Sequence, residues 1–89
     1  MTTKMPPVVR VTWWDAWTSD SWASVEEVVE AGRIGVLVSS VGYLLHEDPA
    51  CVVIAGSYDP DIKKVCGVMS IPRRSLADVI VVIEPAREV

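Results

Sequence analysis

The order of apolar and polar positions predicts a chain built mainly of short strands. β-branched and aromatic side chains dominate residues 8–13, 50–57 and 65–71, and turn-forming residues separate these runs. Residues 34–47 and 77–83 add two further segments of the same kind. Five strands are therefore expected, with each strand pairing with the next in a simple meander.

Two breaks in the pattern predict that this meander curls. Alternation fails over residues 39–42, where a bulge or sharp bend would let one strand serve two faces. Pro72 ends the fourth run, because proline has no N–H to donate to a ladder, and a tight connection to the last strand follows. The bent second strand and the short last turn resemble a small SH3-like or Sm-like barrel, closed by the last strand meeting the first.

One short helix is expected between the first and second strands. Ser24 and Glu27 match a capping box, in which the serine caps a free amide and the glutamate reaches back. Gly32 is expected to stop the helix in a left-handed conformation. The predicted buried face of the helix consists of Val25, Val28 and Val29.

Length and composition predict one domain that does not bury all of its apolar surface by itself. A chain of 89 residues supports a single small core. We expect a disordered lead over residues 1–7, the domain over 8–84 and a tail over 85–89. Hydrophobic residues make up 51% of the chain, above the usual share of a soluble domain, so a homo-oligomer with a subunit interface is expected.

The charge and the terminal sequence limit partners and location. A net charge of -4 makes extended nucleic acid an unlikely partner, because such binders need basic surfaces, but a small anionic ligand remains compatible with it. The apolar runs are far shorter than the ~20 residues that a membrane-spanning helix needs. Two prolines follow the first lysine where a secretory signal would be apolar, so the cytoplasm is expected.

Known catalytic patterns are missing from the sequence. His46 is the single histidine, and it is expected to be an exposed turn residue beside acidic neighbours. The glycines do not form a phosphate-binding loop. Cys51 and Cys66 stand in no metal-ligand spacing and are expected to be buried free thiols. The sequence therefore predicts a protein that is not an enzyme, with no catalytic residue, metal site or cofactor.

The tryptophans are the strongest functional hint, since four of them fall within ten residues of a chain that has no phenylalanine. Adjacent strand residues point to opposite faces, so Trp13 and Trp14 cannot both be core. At least one aromatic ring would then be free to stack on a base, a peptide or a neighbouring subunit. The alternative is that all four wall the core and a dimer seam. The candidate ligand-binding tryptophans are Trp13, Trp14, Trp17 and Trp22.

A second group of candidate ligand-binding residues is polar. Arg73 and Arg74 lie in the tight connection, and a preorganised guanidinium pair suits bidentate contact with phosphate or carboxylate. The alternative for both is a solvated turn. Ser39 and Ser40, at the predicted bend, offer donors to the same anion, although serines in a strand bend need no ligand.

Four short motifs carry a resemblance. They are Val11-Thr-Trp-Trp-Asp15, Ser40-Val-Gly-Tyr-Leu44, Glu47-Asp48 and Ser70-Ile-Pro-Arg73. Over roughly residues 8 to 84 the chain resembles a family of small phage and prophage proteins, most of which carry no assigned function. The resemblance transfers no catalytic residue. It implies a phage-encoded protein that acts in the host bacterial cytoplasm.

This context leads to three hypotheses about function. Small acidic phage proteins commonly act by binding, and one class sequesters the nucleotide second messengers of bacterial anti-phage immunity. By that analogy, the tryptophans and arginines would hold a small anionic nucleotide in pockets at subunit seams. The first alternative is an Sm-like ring that binds RNA, against which the acidic charge argues. The second is a structural or protein-interaction module that blocks a host protein through exposed tryptophans.

Overall fold

A computed structural model describes residues 4–89 as a mainly β domain with one helix. Helix α1 spans Val25–Gly32, and a 3₁₀ turn spans Arg73–Ser75. The strands within these residues are β1 (Lys4–Met5), β2 (Val8–Asp15), β3 (Val36–Glu47), β4 (Cys51–Asp59), β5 (Lys64–Pro72), β6 (Val81–Glu84) and β7 (Arg87–Glu88).

Five of the strands form one antiparallel sheet in the order β5-β4-β3-β2-β6. The predicted five strands correspond to β2 to β6, and the predicted pairing of the last with the first is confirmed by the β2–β6 ladder. The pairing of successive strands is likewise confirmed from β2 to β5. The mainly β fold class is therefore confirmed.

The predicted closed barrel is not found over residues 4–89. Closure would require β5 to pair with β6, but these strands lie at opposite edges of the sheet. The reason lies in the segment that joins them. The backbone N–H of Ala77 donates to the carbonyl of Thr12 at 2.8 Å, and Leu76 forms a β-bridge with Trp13. The chain thus crosses to β2, and β6 extends the β2 side of the sheet.

The helix position and the N-terminal lead also differ from expectation. Helix α1 lies between β2 and β3, because residues Lys4–Met5 already form a strand. That strand pairs antiparallel with Arg87–Glu88 from the predicted tail, and the Met5 side chain is buried. This pairing orders part of the lead that the sequence predicts to be disordered. Residues 1–3 of that lead lie outside the described residues.

Strand β3 serves two neighbours, but its irregularity is not where the sequence predicts it. The first part of β3 pairs with β2 in continuous register through Tyr43, so this ladder has no bulge over residues 39–42, where the sequence predicts a bulge or a sharp bend. The register instead shifts between Leu44 and His46, in the ladder with β4. Gly42 has a different role, because a Cβ there would lie 2.7 Å from the carbonyl oxygen of Ala55.

The core is small and lies on one face of the sheet. Trp13, Leu44, Leu76 and Ile80 pack against it and are partly buried. Its fully or nearly fully buried members are Val9, Val11, Val52, Ile54 and Ile71. All but Ile71 come from β2 and β4, so the two edge strands contribute little to it.

Helix α1 forms as predicted at its start but does not pack as predicted. The Ser24 hydroxyl accepts a hydrogen bond from the N–H of Glu27 at 3.2 Å, which confirms the N-cap. The predicted buried stripe is wrong, since no residue of the helix is buried and Val25 is 77% exposed. The left-handed glycine is Gly35, with φ 84°, and not Gly32. The helix is therefore held mainly by its connections.

Replacing Gly42 by alanine should destabilise the fold, because the new methyl group would meet the Ala55 carbonyl. We expect a loss of about 1–3 kcal/mol in the free energy of unfolding, the usual cost of overpacking. Thermal and urea unfolding measure it. Gly56→Ala is the control, since the nearest atoms to a Cβ there are 4.0 Å away. Equal stability of the two variants would contradict this account of Gly42.

Candidate functional site

Trp13 belongs to the core-facing side of the sheet. Its indole Nε1–H donates to the Oγ of Ser40 at 3.0 Å, and its ring packs against the buried cluster. The Ser40 hydroxyl in turn lies 3.8 Å from the sulfur of Met69 on β5. Trp13 and Ser40 are thus brought together, but by a structural hydrogen bond.

Trp14 and Ser39 lie on the opposite face of the β2–β3 ladder. Trp14 pairs with Leu37, and Ser39 pairs with Thr12 two positions along. Both Trp14 and Leu37 are exposed, at 41% and 54%. The prediction that adjacent tryptophans point to opposite faces agrees with this arrangement. An apolar surface with one aromatic ring results on the outer side of the sheet.

The other two tryptophans lie in the connection from β2 to α1. Trp17 packs against Gly32, where a Cβ would come within 3.1 Å of its ring. Trp22 is fully exposed at 103%. Of the four tryptophans, Trp13 packs against the buried cluster, so the alternative in which all four wall the core and a dimer seam requires a second copy to cover the other three. Three of the four expose a large part of their surface.

The two arginines do not form one anion site. The Nε–H of Arg73 donates to the carbonyl of Asp48 at 3.0 Å, and its Nη2 lies 3.4 Å from the Glu47 carboxylate. Its backbone N–H also donates to Ala50. Arg73 therefore fastens the 3₁₀ turn to the β3–β4 loop. The neighbouring Arg74 is exposed, and no ion pair involves it among residues 4–89.

A groove next to this turn has a volume of about 640 Å³, which is within the range of small-molecule sites. It is open to solvent. Its charged residues are Glu47, Arg73 and Asp78, and the arginine is already paired with Glu47. The remaining lining is apolar, from Leu76, Ala77, Val79 and Ile80. This charge balance does not suit an anion.

The β3–β4 loop holds a polar cluster in which Cys51 joins His46 and Asp48, an association that the sequence analysis did not predict. His46 is exposed, as predicted, and its Nε2 lies 2.8 Å from Oδ2 of Asp48. This hydrogen bond, followed by those from the N–H groups of Cys51 and Ala50, lowers the pKa of Asp48 from 3.8 to about 2. The signal in the sequence is the spacing His46-x-Asp48-x-x-Cys51 across a tight turn.

The cysteines are free, as predicted, but they are not both buried. Cys51 is partly buried at the start of β4, and Cys66 is exposed on β5. The two thiols lie on neighbouring strands, but the β4–β5 register places Cys51 opposite Pro72 and Cys66 opposite Ser57. The burial of Cys66 predicted from its valine neighbours fails because β5 is an edge strand.

Comparisons of the chain with protein-family models, with curated proteins and with solved structures give no match in any of the three. The resemblance to small phage proteins therefore stays a prediction. Among residues 4–89, no helix is both long and apolar enough to cross a membrane.

Replacement of the two arginines should separate their roles. Arg73→Gln removes a charge-assisted hydrogen bond and an ion pair that fix the 3₁₀ turn, so we expect a loss of about 1–2 kcal/mol in the free energy of unfolding. Arg74→Gln is the matched control and should change that free energy by less than about 0.5 kcal/mol. Urea unfolding measures both. A larger loss for Arg74→Gln would overturn the assignment.

Proposed function

We propose that this chain is a binding module that works as a homo-oligomer, with its ligand site at the seam between copies. The observation that carries this proposal is the open five-stranded sheet, whose two outer strands are exposed along edges that no other described strand covers. The chain leaves its own sheet incomplete, and a second copy supplies the complementary edge.

The exposed area supports an interface of ordinary size. A monomeric protein of 9.7 kDa usually exposes about 5,100 Å². This chain exposes 6578 Å², an excess of about 1,450 Å² over that expectation. A standard interface covers about 800 Å² on each partner. A chain that contacts one neighbour through each of its two edges would bury two such areas, and the excess is close to that total.

The β5 edge is the more exposed of the two. Eight of the nine residues of β5 are exposed, and only Ile71 is buried. Between Lys64 and Pro72 the strand carries no charge, and its exposed apolar side chains include Val68 at 54%. Long, uncharged, unpaired edges promote strand addition, and proteins usually cover or charge them. A monomer with this edge free would tend to aggregate.

Charge complementarity favours β6 of a second copy as the partner of β5. Lys64 begins β5 and Glu84 ends β6. In an antiparallel ladder that sets these two residues opposite each other, residues 65–68 face residues 80–83, and both segments are free of charge. In such a contact β5 of one copy meets β6 of the next copy, so the two surfaces differ. Repeating the contact around an axis gives a closed ring when the rotations between successive copies add up to a full turn.

For the ligand, we propose a small anionic nucleotide of the kind that bacterial immune systems use as second messengers. Arg74 follows β5 by two residues, at the end of the proposed seam, and its guanidinium is exposed. The same turn contacts β2 through the Trp13–Leu76 bridge, and Trp14 is the next residue of β2. One arginine with one exposed indole supports an anion contact and a stacking contact.

The origin and location remain part of this proposal. Sequestration of such a signal places the protein in the host bacterial cytoplasm, as the resemblance to phage proteins implies. The two alternatives have weaker support. An RNA-binding ring fits the proposed assembly but not the net charge of -4. A module that blocks a host protein fits the exposed tryptophans but does not require the two sheet edges.

Charge reversal tests the proposed seam. Lys64→Glu and Glu84→Lys should each place like charges opposite one another and weaken assembly at least tenfold, while the double reversal restores it. Sedimentation equilibrium at low ionic strength measures the association constant. Glu26→Lys makes the same charge change on α1 and should leave assembly unchanged. A monomeric wild-type protein, or a double variant as weak as the single ones, would contradict the seam.

Calorimetry tests the ligand class. We expect the oligomer to bind at least one member of a panel of cyclic dinucleotides, cyclic trinucleotides and ADP-ribose isomers. Arg74→Gln should weaken that binding at least tenfold because the anion contact is lost. Arg33→Gln is the control, since Arg33 is paired with Glu30 on the helix end. If the intact oligomer binds no nucleotide of the panel, the ligand proposal fails while the seam proposal stands.

A further inference from the structure

The β3–β4 hairpin brings three different metal-binding side chains together. The imidazole nitrogen of His46, a carboxylate oxygen of Asp48 and the sulfur of Cys51 all lie within 4.8 Å of one another. His46 is the next-to-last residue of β3 and Cys51 begins β4, so the tight turn between the strands creates the cluster. None of these residues belongs to the seam proposed above.

Backbone geometry places the three side chains on the same side of the hairpin. His46 pairs with Val53, and Cys51 is two positions from Val53 along β4, which puts both on one face. Asp48 follows His46 by two residues, and its backbone N–H donates to the Cys51 carbonyl at 3.0 Å. Glu47, which contacts Arg73, lies on the opposite face.

The carboxylate of Asp48 is already oriented. Its Oδ1 accepts hydrogen bonds from the N–H groups of Ala50 at 2.7 Å and Cys51 at 2.9 Å. The second oxygen is left to face the imidazole of His46. One ligand is thereby fixed in position before any ion binds.

We propose that His46, Asp48 and Cys51 bind a zinc ion, with a fourth coordination position left for water. Imidazole nitrogen, thiolate sulfur and carboxylate oxygen are the ligands that zinc takes in proteins. With usual zinc–ligand lengths, neighbouring ligand atoms in a tetrahedral site are about 3.4–3.6 Å apart. The imidazole of His46 adjusts to this spacing, because its side chain is 57% exposed, while the Asp48 carboxylate keeps its hydrogen bonds to Ala50 and Cys51.

Binding follows a balanced exchange of protons for the ion. Zinc binds Nε2 of His46 in place of its proton, which moves to Nδ1 of the neutral ring, and the Cys51 thiol releases its own proton to solvent. The ligand set then carries two negative charges against the two positive charges of zinc. The open fourth position is the place where a water molecule completes the tetrahedron.

Cobalt titration tests this site on the full chain with reduced thiols, and the two cysteines provide a matched pair. We expect one Co²⁺ per chain, with the absorption of tetrahedral cobalt and a thiolate-to-cobalt charge-transfer band, and displacement by Zn²⁺. Cys51→Ser should remove the charge-transfer band and weaken binding at least tenfold. Cys66→Ser, at the exposed thiol on β5, should leave both unchanged.

The single histidine gives an independent readout. His46→Gln should weaken Co²⁺ binding at least tenfold without unfolding the chain, since this side chain is largely exposed. In the wild type, Zn²⁺ should shift the only imidazole signals in the NMR spectrum. The proposal is overturned if the wild type takes up no Co²⁺, if Cys66→Ser loses the band as Cys51→Ser does, or if His46→Gln binds as tightly as the wild type.

Discussion

The attachment of the 3₁₀ turn to the middle of the sheet is the constraint on which the rest of this structure depends. Arg73 bonds to the β3–β4 loop through its backbone and its side chain, and Ala77 bonds to Thr12 of β2. These contacts carry the chain across one end of the sheet, so β6 joins β2 and never meets β5. Only a connection that let β6 pair with β5 as well as with β2 would close the sheet and remove both open edges.

The sequence predicted the local elements well because their signals are local. The strands follow runs of β-branched residues, and Ser24 caps α1 as its pattern requires. Closure of the barrel was not predictable in this way, since it depends on which edge residues 81–84 join. The strand in the N-terminal lead was not predicted, for a related reason. Met5 is buried and pairs with the distant Arg87, and no local pattern records that pairing.

The candidate site was predicted less well, because side-chain roles depend on neighbours far away in the chain. Arg73 and Arg74 are equivalent in the sequence, yet Arg73 is hydrogen-bonded to Asp48 and ion-paired with Glu47 while Arg74 remains exposed. Alternation correctly separated Trp13 from Trp14. The spacing of His46, Asp48 and Cys51 carried a usable signal, since a hairpin brings residues on either side of its turn together. The spacing becomes informative only after the position of the turn between β3 and β4 has been predicted.

The high apolar content and the small core have one explanation, which is that many apolar side chains lie on the surface. A chain that is 51% hydrophobic has enough apolar side chains for a larger core, yet only seven hydrophobic residues among residues 4–89 are buried. Their distribution explains the difference, because β5, β6 and α1 contribute one buried residue among them. Surface left exposed along sheet edges costs free energy in water, at about 25 cal/mol per Å² of apolar area. In the proposed oligomer, covering part of this surface would offset that cost, less the entropy lost on association, so assembly and folding are expected to be coupled.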